Sequence, residues 1–229
     1  MNKALFVLGL VAISSNIVAA TKQPDQLVPV DRHELIFRDY LYQRLCPTDF
    51  DCGRYLVMPP FMKSEVSVSL YSRRDAAGAT KCYVTSVEAA DNLRDWTDAG
   101  RLPDRAKKVK VRRIDAELPA TTCALMKEVW TKMLSGRQTP RKRKETDEVP
   151  DVIYGDATEG EFAIKLPNGK ILRGETELVP NLGRNTTALT EIGDVLIDYC
   201  KISASERPGM QAKIETKAKA ILVRLGSKR

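Results

Sequence analysis

Ser64-Glu65-Val66-Ser67-Val68-Ser69-Leu70-Tyr71-Ser72 alternates without a break. Val66, Val68 and Leu70 point one way, and Glu65, Ser67, Ser69 and Tyr71 the other. That is the period of two a strand imposes on its side chains, so this stretch reads as a half-buried strand. Arg73 to Gly78 follows as a turn and Lys81 to Thr85 as a second strand. A strand, a short turn and another strand make an antiparallel pair, and the rest of the fold is read outward from it.

Upstream, Gly53 to Phe61 is short and apolar and stops at Pro59-Pro60. Before it, Asp31 with Glu34 three residues on forms a capping box. Phe37, Tyr40, Leu41 and Leu45 then share one helical face, predicting a helix over Asp31 to Leu45. Downstream, Thr85 with Glu88 reads as a second capping box, with Ala89, Leu93 and Trp96 as the apolar side of a short helix. Lys107 to Ile114 returns to strand, with Lys108, Lys110 and Arg112 on one face and Val109 and Val111 on the other. Pro119 ends it. Thr121 or Thr122 then opens a helix with Met126, Val129, Trp130 and Met133 on one stripe, closed by Gly136.

Residues 137–150 hold Arg141-Lys142-Arg143-Lys144 and then Glu145, Asp147 and Glu148 between Pro140 and Pro150. With only Val149 to bury, they read as a charged connector. Strands are expected at Asp151 to Tyr154, Glu161 to Leu166 and Lys170 to Val179. Pro167-Asn168-Gly169-Lys170 is a hairpin turn, because Asn-Gly tolerates the positive φ of a primed turn. Asn185 or Thr186 opens a helix bearing Leu189, Ile192, Leu196 and Tyr199. Pro208-Gly209 breaks the chain before a last helix with Met210, Ile214, Ala218, Ile221 and Leu225 in line. The expectation is an α+β protein with short antiparallel sheet or sheets, helices packed on them, and disulfides. Residues 21–136 and 151–229 are expected to form one domain across the connector.

The first 20 residues read as a secretory leader. Lys3 gives a positive start, Ala4 to Ile13 an apolar run of ten, and Val18-Ala19-Ala20 a small-residue cleavage site. The run is short of the roughly 20 apolar residues that span a bilayer. An exported mature chain would begin at Thr21, and residues 21–30 read as its mobile start. No second apolar run of that kind follows, so no transmembrane segment is expected in the mature chain. The leader carries one lysine and no acid, so its removal takes the net charge from +7 to +6. Periplasm and exterior are both open to such a protein.

An oxidising compartment favours paired cysteines. There are five, Cys46, Cys52, Cys82, Cys123 and Cys200, so two bridges leave one thiol. Cys46 and Cys52 enclose a short turn-rich loop and are the expected first pair. Cys123 at a helix start and Cys200 at a helix end can meet if those helices run antiparallel, which makes them the expected second pair and leaves Cys82 free.

The inventory argues against several chemistries. His33 is the single histidine, so a multi-histidine zinc site within one chain is excluded, and a Ser-His-Asp or Cys-His site would depend on it alone. There is no C-x-x-C, no glycine-rich phosphate loop and no G-x-S-x-G. No catalytic residue, metal site or cofactor is assigned. Glu175 and Glu177 share a strand face and are the only carboxylate pair offered for an alternative reading as an envelope hydrolase. Two basic clusters remain. Arg101 to Arg113 has seven cations against Asp104 and includes Lys108, Lys110 and Arg112; Arg141, Lys142, Arg143 and Lys144 form the second. Lys213, Lys217, Lys219 and Arg224 could extend them. No aromatics are interleaved, which argues against nucleic acid. The partner expected is an anionic envelope component or an acidic protein, bound by a non-catalytic module; an exported effector is the remaining alternative.

Cys123 to Cys200 carries Trp130, Met133-Leu134, a charged connector, Phe162, Gly174-Glu175-Thr176, Pro180 and Leu189-Thr190-Glu191-Ile192-Gly193. In that order and spacing it resembles uncharacterised exported proteins of proteobacteria. The resemblance covers about a third of the chain and implies periplasmic residence, with no activity attached.

Overall fold

Strand β1, Gly53–Met58, lies in the middle of the sheet and is buried on both faces, which is why its sequence shows no alternation. The computed structural model describes residues 27–30, 35–46, 50–59, 63–93, 108–136, 158–178 and 183–226. Before β1 comes helix α1, Leu35–Leu45; after it come β2, Val66–Arg74, β3, Thr80–Ala89, and β4, Val111–Leu118. Helix α2, Ala120–Ser135, precedes β5, Glu159–Lys165, and β6, Ile171–Glu177. Helices α3, Arg184–Lys201, and α4, Arg207–Gly226, follow. The six strands form one sheet in the order β4-β3-β2-β1-β5-β6, antiparallel throughout. The first four strands are a meander, and β5 and β6 add to the free side of β1.

The α+β expectation holds, as a single sheet. On one face Tyr55, Val68, Leu70, Val84, Leu118, Phe162 and Ile164 meet the Met126–Trp130–Met133 stripe of α2 and the Leu189–Ile192–Leu196 stripe of α3. Ile214, Ala218 and Ile221 seat α4 against the same core. On the other face Leu56, Met58, Val87 and Ala89 meet Leu41 and Leu45 of α1. The alternating strand therefore differs from its reading. Val68 and Leu70 face the large core, but Ser67 and Ser69 are buried too, and Ser67 donates to the Leu45 carbonyl under α1. Glu65 is buried as well, accepting from the Leu93 amide at 2.8 Å.

Two hairpins use one device. The Gly169 amide bonds to the Leu166 carbonyl at 2.9 Å, and the Gly78 amide to the Asp75 carbonyl at 3.0 Å; both glycines sit at φ 81°. Pro167 holds the second position of its turn. Its fixed φ near −65° rules out a primed turn, so the left-handed step falls on Gly169 alone.

Several expectations are corrected. The helix expected from Thr85 is strand: β3 runs to Ala89, with Thr85 to Glu88 paired with Ser69 to Val66 of β2 on one side and with Asp115 to Arg112 of β4 on the other. Ladder bonds from two neighbours outweigh a local capping signal. The paired part of β4 begins at Val111, which is exposed, whereas Val109 is buried against the α1 side. Pro119 caps α2, and Thr122 instead donates to Glu215 of α4 at 2.6 Å. Pro208 and Gly209 lie within the first turn of α4, where a missing amide hydrogen costs nothing. Leu27 is buried in the large core, and Val28 pairs with Glu175 through bonds of 3.0 and 2.8 Å. That part of the supposedly mobile start therefore covers the β6 edge. Residues 1–20, Asp31 to Glu34, 94–96, Arg141 to Lys144 and Asp151 to Tyr154 lie outside the described residues.

The disulfide joins Cys82 on β3 to Cys123 in the first turn of α2, Cα to Cα 6.3 Å. Cys46, Cys52 and Cys200 are thiols. Neither expected pair forms. Gly53 at φ 133° turns the chain ahead of β1 and carries Cys52 into the large core, away from Cys46. Cys200 lies over β3 instead, with its sulfur 3.7 Å from the Val84 carbonyl.

Candidate functional site

Among the described residues, the densest set of ionisable side chains sits between α1 and the β1-β5-β6 half of the sheet. Arg38 and Tyr42 are four apart on α1 and so face the sheet together. Glu161, at the middle of β5, is fully buried and central. Arg38 reaches it at 3.1 Å, Arg54 at 3.3 Å and Arg173 at 3.3 Å, and the Tyr42 hydroxyl donates to it. Arg38 also holds Glu175 at 2.6 Å and Glu159 at 3.4 Å. The Arg54 and Arg173 guanidiniums lie 4.5 and 4.3 Å from the Tyr42 ring centre, and Arg54 lies 4.6 Å from that of Phe50. Burial and the adjacent Glu161 carboxylate push the Tyr42 phenol up, so it remains a proton donor.

Three arginines thus face three glutamates, and the charges of these six residues balance. Charges this deep need partners, and each of the six has at least one, although Arg54 Nε is buried without a hydrogen-bond partner. Glu175 belongs to it: its carboxylate is held by Arg38 under α1, while Glu177, two residues on, is exposed at the end of β6. Sequence reasoning did not single out Arg38, Arg54, Glu159, Glu161 or Arg173. A signal existed in Arg54 and Glu161, each a charge inside a short, otherwise apolar strand segment, Gly53–Met58 and Glu159–Lys165. A charge placed there must be paired within the protein.

The predicted basic residues lie elsewhere. Lys108, Lys110 and Arg112 are exposed along the approach to β4 and on β4 itself, which is an edge of the sheet. Among the described residues none of them makes an ion pair. Arg113 beside them pairs with Asp115 at 3.1 Å. Arg112 lies opposite Glu88, whose carboxylate is taken by Lys201 at 3.5 Å. Charge on an edge strand also blocks edge-to-edge pairing with another chain. A second basic feature is a shallow groove between α3 and α4, about 320 Å³, with Ala188 and Ala220 in its floor and Arg184, Lys217 and Arg224 around it. Asn185 accepts from Arg224 Nε at 2.5 Å, fixing that guanidinium, and Lys217 pairs across the groove with Glu191.

The thiols are quiet at neutral pH. Burial pushes Cys46 up, Cys52 up to about 11 and Cys200 up to about 12. The sulfurs of Cys52, Cys82 and Cys123 all lie within 4.8 Å of one another. With two of the three joined, this is a disulfide beside a thiol rather than a metal cage. No helix among the described residues is long and apolar enough to cross a membrane. No family model matches the chain, and no curated protein or solved structure matches it either.

Proposed function

We propose that this chain is an exported, non-catalytic binding protein that presents a basic face to an anionic envelope component or an acidic protein. One observation supports the reading: the six charges of the buried cluster balance one another, whereas Lys108, Lys110 and Arg112 are exposed and, among the described residues, make no ion pair. Lys108, Lys110 and Arg112 are the exposed cations to which binding is assigned, with Arg141 to Lys144 as a second patch. The α3–α4 groove, rimmed by Arg184, Lys217 and Arg224, adds basic surface on the helical side. The Cys82–Cys123 bridge supports an oxidising compartment, and with it the leader-like first 20 residues. A carboxylate hydrolase gains nothing from the geometry, because Glu175 is committed to Arg38.

The test is capture of partners from the cell envelope by the mature protein, tagged at its C-terminus, at low and high salt. A partner that elutes with salt, and is lost from the triple variant Lys108→Glu, Lys110→Glu, Arg112→Glu, supports the reading. Salt-insensitive capture, or none at all, overturns it and moves attention to envelope hydrolysis by wild type against Glu175→Gln.

A further inference from the structure

We propose that Cys52, Cys82 and Cys123 form an interchange centre in which the free Cys52 thiol displaces Cys123 from the disulfide and moves the bridge from β3–α2 to β3 and the turn that leads into β1. The three sulfurs lie within 4.8 Å of one another and all three residues are buried. Cys52 is only 5% exposed, so its nearest reaction partner is this disulfide rather than any thiol in solution. Gly53 puts it there: at φ 133° the chain turns inward ahead of β1, a conformation that side-chain-bearing residues rarely adopt.

The step balances without an added oxidant or reductant. Cys52 loses its proton and the thiolate attacks the Cys82 sulfur. An S–S bond forms between Cys52 and Cys82 as the Cys82–Cys123 bond breaks. The electron pair leaves on the Cys123 sulfur, which takes up one proton. Cys123 is the better leaving group because it sits in the first turn of α2, where the helix N-terminus favours a thiolate. The product frees α2 from β3. The same first turn holds α4 through Thr122 and Glu215, so the position of the bridge is coupled to how the outer helix is seated.

The surroundings keep the centre slow at neutral pH. Burial and the Asp51 carboxylate push the Cys52 thiol up to about 11, against a bond from Ser72 on β2 and the charge of Lys127 on α2. At pH 7 the thiolate fraction is on the order of one in ten thousand, and the rate rises about tenfold per pH unit until the thiol titrates.

The experiment uses the full oxidised chain, held folded at pH 7, 8, 9 and 10. Samples are quenched in acid, alkylated, digested with pepsin without reduction, and mapped by mass spectrometry. The expected result is Cys82–Cys123 alone at first, then a Cys52–Cys82 peptide pair appearing about tenfold faster per pH unit. Cys52→Ser should retain Cys82–Cys123 at every pH. Should that variant fail to fold, the double variant Cys46→Ser, Cys200→Ser decides, since it leaves only these three cysteines and must show the same new pair. Cys82–Cys123 unchanged after long incubation at pH 10 in the folded protein would overturn the proposal. So would a new bridge that forms only in urea, or one that passes through Cys46, Cys200 or a second chain.

Discussion

Gly193 of α3 lies so close to β1 that a Cβ built on it would clash with the Tyr55 ring, 2.1 Å from its Cδ1. Helix propensity alone predicts that Gly193→Ala stabilises, by about 1 kcal/mol. Contact predicts the reverse, because the ring is fully buried and stacked on Phe162 at 4.6 Å and has nowhere to go. Overpacking costs roughly 1–3 kcal/mol or more, so the steric effect wins. Gly193→Ala should lower the urea midpoint, and pairing it with Tyr55→Leu should recover part of the loss; full additivity would show that the ring is not the cause. Glu161 makes a second case at this scale. Glu161→Gln leaves three buried or half-buried guanidiniums short of a carboxylate, and should cost about 3–5 kcal/mol. Equilibrium denaturation checks it. A loss under 1 kcal/mol would mean that water reaches the cluster.

Helix α4 packs chiefly on α2 and α3. Besides its apolar stripe it is held by Glu215, which accepts from Thr122 of α2 at 2.6 Å and from Gln211 at 2.9 Å. Those bonds, that of Thr122 foremost, hold the Glu215 carboxyl below its ordinary value of 4.5. A carboxyl depressed in the folded state contributes stability that is complete above its unfolded value and is lost as pH falls through the folded one. The docking of α4 should therefore weaken on acidification below about pH 4.5. Thr122→Val should move the Glu215 titration, followed by NMR, up towards 4.5 and flatten that acid limb. An unmoved titration would show that Thr122 is not its partner in solution. The hairpins belong to the same scale. Gly169→Ala forces a side chain into φ 81° and should cost about 1 kcal/mol, whereas Gly209→Ala, in the first turn of α4, should be neutral or stabilising by thermal denaturation.

For the whole molecule the governing fact is the separation of charge. The six charges of the interior cluster balance, so the excess of 37 basic over 30 acidic residues comes from the remainder of the sequence. Surface charge is screened within about 10 Å at 0.1 M salt, whereas the buried pairs are not. Raising salt from about 0.05 to 0.5 M should therefore weaken partner capture several-fold and leave the thermal midpoint nearly unchanged. A midpoint that fell with salt as steeply as binding would mean that the surface cations stabilise the fold itself.

Much of this architecture was legible locally. The alternation of Ser64 to Ser72, the Pro167-Asn168-Gly169 turn and the stripes on α2, α3 and α4 are written in residues close in sequence. Period and turn chemistry act through backbone angles and side-chain direction, which need no distant partner. Where the local signal failed, a long-range contact had overridden it. Thr85 and Glu88 read as a helix cap until β2 and β4 take their backbone into the sheet. Leu27 lies in a segment that reads as loose until the β6 edge pairs with it. The basic residues were visible as charges, but the buried cluster was not, because Arg38, Arg54, Glu161 and Glu175 are brought together from four elements.

By itself the sequence determined the α+β class, most of the runs that become strands and helices, the excess of positive charge and the single histidine. Tertiary structure alone decided the strand order, the partner of each charge and the identity of the disulfide. The physical reason is that local pattern sets φ, ψ and which side of an element is apolar. Bridges and ion pairs depend on distances across the core, and those exist only once the elements have packed.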